Sequence, residues 1–231
     1  IQGIFYLIGS CYIFTLLCLL KMNSSLHKTK AQTENVLSNL KDGLSYVFKS
    51  KTIKYVILLG VFLTIFSSSF DTLLPKLSEE MSEKGIKAYS NLLLGSGFGG
   101  LSATLFLIFF GTRIKIQNYY IISAILLGFS FIFLSLTSYL LLGIFITFIL
   151  GGTKTLYGTL STTLTQNLTD DIYRGRVMSM HQLIWSATAI GSIFSGFLAK
   201  SIGLSITIGL SGFFIIICGL IFGKKIIKNI S

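Results

Sequence analysis

Residues 139–166 read YLLLGIFITFILGGTKTLYGTLSTTLTQ, a stretch with a single charge, Lys154. About 20 apolar residues in a helix cross the ~30 Å hydrocarbon core of a bilayer, and this stretch exceeds that length. Its polar residues are ordered. Thr147, Gly151, Lys154, Gly158, Ser161 and Thr165 step by four, three, four, three and four, so they share one helical face. Such a stripe in an otherwise apolar helix lines a cavity or a helix seam rather than lipid. Lys154 is either a functional charge or a snorkelling or ion-paired lysine.

Six further stretches of the same kind flank it, giving spans at about 1–20, 53–75, 89–111, 117–136, 139–166, 177–200 and 203–222. The composition agrees. The 231 residues are 52% hydrophobic and 12% charged with one proline, and the mean hydropathy is +0.78. A soluble domain of this length needs more charged surface. The expected fold is all-α, a polytopic membrane bundle of about seven helices. The first span lacks a basic leader and a small-residue cleavage site, so it is not read as a signal peptide. It begins inside an apolar run, as a piece of a longer chain would.

The net charge of +11 is distributed by side of the membrane. With the 21–52 loop in the cytoplasm, fourteen of the nineteen basic residues lie inside, among them Lys28, Lys30, Lys41, Arg113, Arg174 and Lys224. Lys76, Lys84, Lys87 and Lys200 lie outside. The positive-inside rule then puts the carboxyl end inside. No aromatic-interleaved basic patch remains for nucleic acid. Cys11, Cys18 and Cys218 fall in spans without metal-ligand spacing, and His27 and His181 form no cluster, so no metal or other cofactor is expected. Asn23-Ser24-Ser25 and Asn167-Leu168-Thr169 match the glycosylation pattern but fall on the cytoplasmic side.

In the 21–52 loop, Val36, Leu37, Leu40, Leu44, Val47 and Phe48 recur at helical spacing, which predicts an amphipathic helix lying in the interface. The segment 76–88 reads as a charge-balanced outer loop containing Glu79, Glu80 and Glu83. In the second span Gly60, Thr64, Ser67 and Asp71 form one polar face. Asp71 is either a pathway acid or an interface residue within reach of water. Its depth and that of Lys154 differ by about ten residues, roughly 15 Å along a helix, which argues against a direct salt bridge.

Gly95-Ser96-Gly97-Phe98-Gly99-Gly100-Leu101-Ser102-Ala103 aligns with Gly191-Ser192-Ile193-Phe194-Ser195-Gly196-Phe197-Leu198-Ala199, identical at five of nine positions. Two three-helix units of inverted topology would place them so, with Asp71 and Lys154 at equivalent places; chance similarity of small-residue faces is the alternative. Gly95–Gly100 also satisfies G-x-G-x-x-G. A dinucleotide site, however, needs a preceding strand and a ribose-binding acid. Here Gly95, Gly99, Gly100, Gly191 and Gly196 are expected to admit a neighbouring helix. Arg174-Gly175-Arg176 follows Asp170-Asp171, where an aspartate can cap the next helix and the arginines can clamp helix ends, as a gate would.

The run Gln166–Ser179 (QNLTDDIYRGRVMS), leading to Ile190-Gly191-Ser192 and Gly196, resembles the penultimate-helix start of major facilitator superfamily exporters, in the macrolide-efflux and enterobactin-exporter branch. Lys41-Asp42-Gly43-Leu44-Ser45-Tyr46-Val47 is similar to that branch's central-loop helix. Leu73-Leu74-Pro75, Tyr89 and the Gly95–Gly100 cluster are similar to its spans seven and eight. The resemblance covers nearly the whole chain. It implies helix six (1–20), a cytoplasmic central loop (21–52) and the carboxyl-terminal six-helix bundle (53–231) of a twelve-helix transporter. The loop Gly111-Thr112-Arg113-Ile114-Lys115 departs from the family in lacking an aspartate.

The implied activity is proton-driven efflux of small amphipathic compounds of drug, macrolide or siderophore type across a bacterial cytoplasmic membrane. Asp71, Lys154, Thr64, Ser67, Thr147 and Ser161 would line the path, and Asp170, Asp171, Arg174 and Arg176 would gate it. The implied partners are the lipid bilayer, a small-molecule substrate, protons and an amino-terminal half. A seven-helix receptor is the alternative by span count. An enzyme is disfavoured, because no Ser/His, paired-carboxylate or His-Glu-x-x-His arrangement occurs.

Overall fold

A computed structural model describes residues 2–21, 36–82 and 85–230. His27, Lys28, Lys30, Asn23-Ser24-Ser25, Glu83 and Lys84 lie outside the described residues, as does the Lys41 side chain. The elements are α1 (Gln2–Lys21), α2 (Val36–Lys49), α3 (Lys51–Met81), α4 (Gly85–Phe110), α5 (Ile116–Leu136), α6 (Leu140–Asn167), α7 (Arg174–Ile202) and α8 (Leu204–Ile230).

The chain divides into two compact units, one up to Val36 and one from Leu37 on. In the first, α1 is a twenty-residue apolar helix. Its Ser10 and Thr15 hydroxyls donate to the carbonyls of Tyr6 and Cys11, one turn back. Hydroxyls satisfied within their own helix are compatible with hydrocarbon.

In the second unit, α3 to α8 are each long and apolar enough to cross a membrane. The chain is a polytopic helical membrane protein. Successive spans alternate in direction, which brings the starts of α3, α5 and α7 and the ends of α4, α6 and α8 to one end of the bundle. That end carries Lys49, Lys51, Lys54, Arg113, Lys115, Arg174, Arg176, Lys224, Lys225 and Lys228, and is called the basic end below.

Packing follows a two-fold pattern. The α4–α6 pairing has its counterpart in α7–α3, α5–α6 in α8–α3, and α5 packs on α8. Exchanging α3, α4, α5 with α6, α7, α8 maps these pairings onto one another, as expected of two three-helix repeats, although the α7–α8 contact has no comparable α4–α5 counterpart. The glycines fix the register: a Cβ on Gly95 would meet the Ile144 carbonyl and Thr147 Oγ1, and one on Gly191 would meet the Ile65 carbonyl and Ser68 Oγ. Between the helices lies an apolar core including Leu63, Phe70, Leu92, Leu127, Phe131 and Leu150.

Span limits agree with hydropathy to within a few residues except at α8, which was expected to end near 222 and runs to Ile230, and at α3, which runs through Pro75 to Met81 and takes in residues expected in a loop. Leu73, Leu74, Leu77 and Ser78 are buried while Lys76, Glu79 and Glu80 are exposed, an amphipathic last turn that a hydropathy average discards. Pro75 has no N–H to donate to the Asp71 carbonyl and should weaken the helix there. Its own carbonyl accepts from Ser78 Oγ at 2.6 Å, and the buried leucines hold the segment in place.

Candidate functional site

The two charges within spans meet. Lys154 Nζ donates to Asp71 Oδ2 at 2.7 Å, tying α6 to α3. The expected 15 Å separation is corrected, and the extra length of α3 is the reason. The Met81 side chain lies against Gly143, so the ends of α3 and α6 away from the basic end are level there. Asp71 is ten residues below Met81 and Lys154 eleven below Gly143. The pair is therefore at one depth. The charges do not, however, occupy equivalent repeat positions: in the glycine register Lys154 corresponds to Pro75, one turn beyond Asp71. The Lys154 side chain is 30% exposed and that of Asp71 52%. The ammonium group also sits 5.9 Å from the centre of the Phe70 ring, within cation–π range.

Beside the pair opens a groove of about 450 Å³ lined by Lys154, Thr155, Gly158, Thr159, Thr162 and Trp185. Thr64, Ser67, Thr147 and Ser161, expected along the path, lie elsewhere: all four are buried in helix seams. The Ser67 and Thr147 hydroxyls donate to their own helix one turn back. The stripe on α6 was read one residue too narrow. Its open edge is Thr155, Thr159 and Thr162, again at steps of four and three, and the groove's aromatic wall is the chain's single tryptophan. Both signals were present in the sequence.

At the basic end a second group of polar contacts joins α2 to the α6–α7 connection. The Tyr46 hydroxyl donates to Asp170 Oδ2 at 3.0 Å and accepts from the Asp170 N–H at 3.2 Å. The Tyr46 ring stacks on Tyr173 with centroids 4.5 Å apart. Arg176 Nη1 donates to Asp42 Oδ2 at 3.2 Å, and Gly43 packs closely on the Arg176 backbone. Beneath them Val47, Ile53 and Val177 form a small apolar cluster. Asp171 pairs with Arg174 at 2.6 Å.

Neither aspartate caps α7, because its N-cap is Tyr173 in a helical conformation without a side-chain cap bond. The turn is closed instead by backbone bonds from Tyr173 and Arg174 to the Asp170 and Asp171 carbonyls. Tyr46 and Asp42, the partners of this loop, carried no signal of their own in the sequence.

Between the two sites, polar side chains from α5, α6 and α7 converge with backbone carbonyls of α3. The Tyr120 and Tyr157 hydroxyls donate to the carbonyls of Val56 and Gly60 on α3 at 3.1 and 3.0 Å. Their rings stack at 5.8 Å. Ser161 Oγ and His181 Nε2 are 3.0 Å apart and buried.

The glycines expected at contacts divide. A Cβ on Gly99 would fall on the Phe148 carbonyl, and one on Gly100 would come 2.9 Å from Thr155 Oγ1. Gly95 and Gly191 face backbone as described. A Cβ on Gly196 would meet nothing within 4 Å, so its expected packing role is corrected: its Cβ direction faces open space rather than a neighbouring helix.

Among the described residues no group of three or more His, Cys, Asp or Glu could hold a metal ion. No curated protein and no solved structure matches the chain. A family model described as transmembrane secretion effector matches residues 3–230. That match spans all the membrane helices, and with the paired three-helix repeats it establishes that the chain belongs to the transmembrane secretion effector family, a membrane-transporter family of the major facilitator type.

Proposed function

We propose that the protein is a secondary active exporter of small amphipathic compounds, of drug, macrolide or siderophore type, driven by protons across a bacterial cytoplasmic membrane, with the basic end inside. The observation that carries this reading is the Lys154–Asp71 pair, which joins the first helices of the two repeats. A proton on the Asp71 carboxylate breaks the tie, and so does a polar group of a solute bound to either member. Two ligands that act on one equilibrium are coupled, each altering the affinity for the other. The adjoining groove of about 450 Å³ suits a drug-sized molecule, with Trp185 for its apolar part and the threonines for its polar part.

The family resemblance supplies the rest of the reading: a facing amino-terminal bundle completes the cavity, and the two rock about it. The contacts of Tyr46 and Asp42 with Asp170 and Arg176 form the inner gate. The positive-inside rule supports the orientation and an internal carboxyl terminus.

The test is solute retention in energised cells carrying the intact transporter, at matched expression. Lys154→Met keeps the apolar stem and removes the charge, so export should fall about tenfold or more, equivalent to at least ~1.4 kcal/mol. Lys154→Arg should stay partly active, and the exchange Asp71→Lys with Lys154→Asp should recover part of the loss. Export equal to the parent in Lys154→Met would remove the pair from the mechanism.

A further inference from the structure

His181 has no part in the reading above, yet it is the one side chain among the described residues with a buried polar atom left unpartnered. The residue is 2% exposed. Nε2 is engaged by Ser161 Oγ, whereas Nδ1 has no hydrogen-bond partner. A buried nitrogen without a partner costs free energy, and either water or a proton relieves that cost.

Its surroundings set the direction from which either can come. Toward the middle of the bundle the stacked Tyr120 and Tyr157 close the space, with their hydroxyls committed to α3 carbonyls. Toward the basic end, Ser161, Thr165 and Thr169 form a buried polar lane along α6, each threonine bonded to the carbonyl one turn back. The lane ends beside Asp170, whose exposed carboxylate and N–H both bond the Tyr46 hydroxyl of α2.

Among the described residues no charged group hydrogen-bonds or ion-pairs with the imidazole. α7 packs on α3, α6 and α8. On α3, Lys54 sits over the Phe48 ring and Asp71 holds Lys154 of α6. On α8, Lys225 sits over the Tyr55 ring of α3. Asp42 of α2 holds Arg176, and Asp171 holds Arg174. Neither these groups nor Lys51, Lys224 and Lys228 hydrogen-bond or ion-pair with His181.

We infer that His181 is a second proton-binding site, reached from the basic end when α2 lifts from the α6–α7 connection, and closed and neutral in the state described here. On opening, Nδ1 takes one proton from cytoplasmic water, and on closing it returns that proton to water. Acid on that side therefore favours the open gate. One linked proton shifts the open-to-closed ratio by at most tenfold per pH unit. The inference rests on the exporter reading for its consequence, but not for its test.

The test is deuterium exchange at the C2–H of histidine, read peptide by peptide by mass spectrometry on the intact transporter between pH 5 and 9. Exchange at His181 should follow a sigmoid in pH. Tyr46→Phe, which removes the hydroxyl that ties α2 to Asp170, should speed that exchange about threefold or more and leave His27 unchanged. A flat profile, or a rate unaffected by Tyr46→Phe, overturns the site. In transport assays His181→Gln should flatten the dependence of export on cytoplasmic pH, whereas an unchanged pH profile counts against the site and leaves the exporter reading intact. Absence of export in the parent, with the titration retained, would sink the exporter reading alone.

Discussion

The seam between α4 and α6 and the seam between α7 and α3 occupy matching places in the two repeats, yet they are built differently. In the first, backbone meets backbone over more than one turn. Gly99 faces the Phe148 carbonyl, Gly151 faces the Ser96 carbonyl, and Gly152 lies 3.1 Å from the Gly99 carbonyl by its would-be Cβ. In the second, backbone meets backbone at Gly191. One level on, Ser195 stands where the first repeat has Gly99, and Thr72 and Leu73 stand where it has Gly151 and Gly152. Those side chains take the place of the glycines, and a Cβ on Gly196 would meet nothing within 4 Å. Small residues let membrane helices approach, and dispersion then holds them together. By these contacts the α4–α6 seam is the closer of the two.

Substitutions at the glycines can break that contrast. The largest effect is expected at Gly99. Gly99→Leu puts a side chain through the Phe148 carbonyl, and overpacking by even a methylene or two costs about 1–3 kcal/mol. Monodisperse protein in detergent should be lost almost entirely; normal yield would mean the first seam is no tighter than the second. Gly60→Ala should be mild, because its Cβ would meet the terminal Cδ1 of Ile184 at 2.7 Å, an atom that a rotamer change moves away. A loss of thermal stability of about 1 kcal/mol or less is expected in an unfolding scan, and a loss like that at Gly99 would show the α7–α3 seam to be equally close. Gly196→Ala should be opposite in sign. Nothing opposes the methyl group, and alanine favours helix over glycine by about 1 kcal/mol. A fall in stability there would place α7 against a neighbour not seen in this state.

Much of this was legible in sequence. The number of helices and most of their starts follow from hydropathy, and the difference between the seams is visible in GSGFGG against GSIFSG. The pairing of Asp71 with Lys154 was not legible, because it depends on where α3 ends. Six residues of amphipathic helix beyond Pro75 average to a loop on a hydropathy scale, and that error moved Asp71 toward the outer surface. The groove was half legible: the polar stripe on α6 was found, but a stripe does not say which of its edges faces a neighbour. The cover formed by α2 was the least legible, since a tyrosine in a loop helix has no spacing that names a partner more than a hundred residues away.

Pro75 gives the ion pair a mechanical setting. Because the proline withholds a hydrogen from the Asp71 carbonyl, α3 is most compliant in bending at the residue whose carboxylate holds Lys154. The turns beyond it form a lever of six residues, about 9 Å long, ending at Met81, which rests on Gly143. A change of about 20° in the kink, typical of a proline site, carries that end through roughly 3 Å, nearly the width of a methyl group. The pair ties α3 to α6 at the foot of that lever, while Met81 rests on Gly143 at its tip.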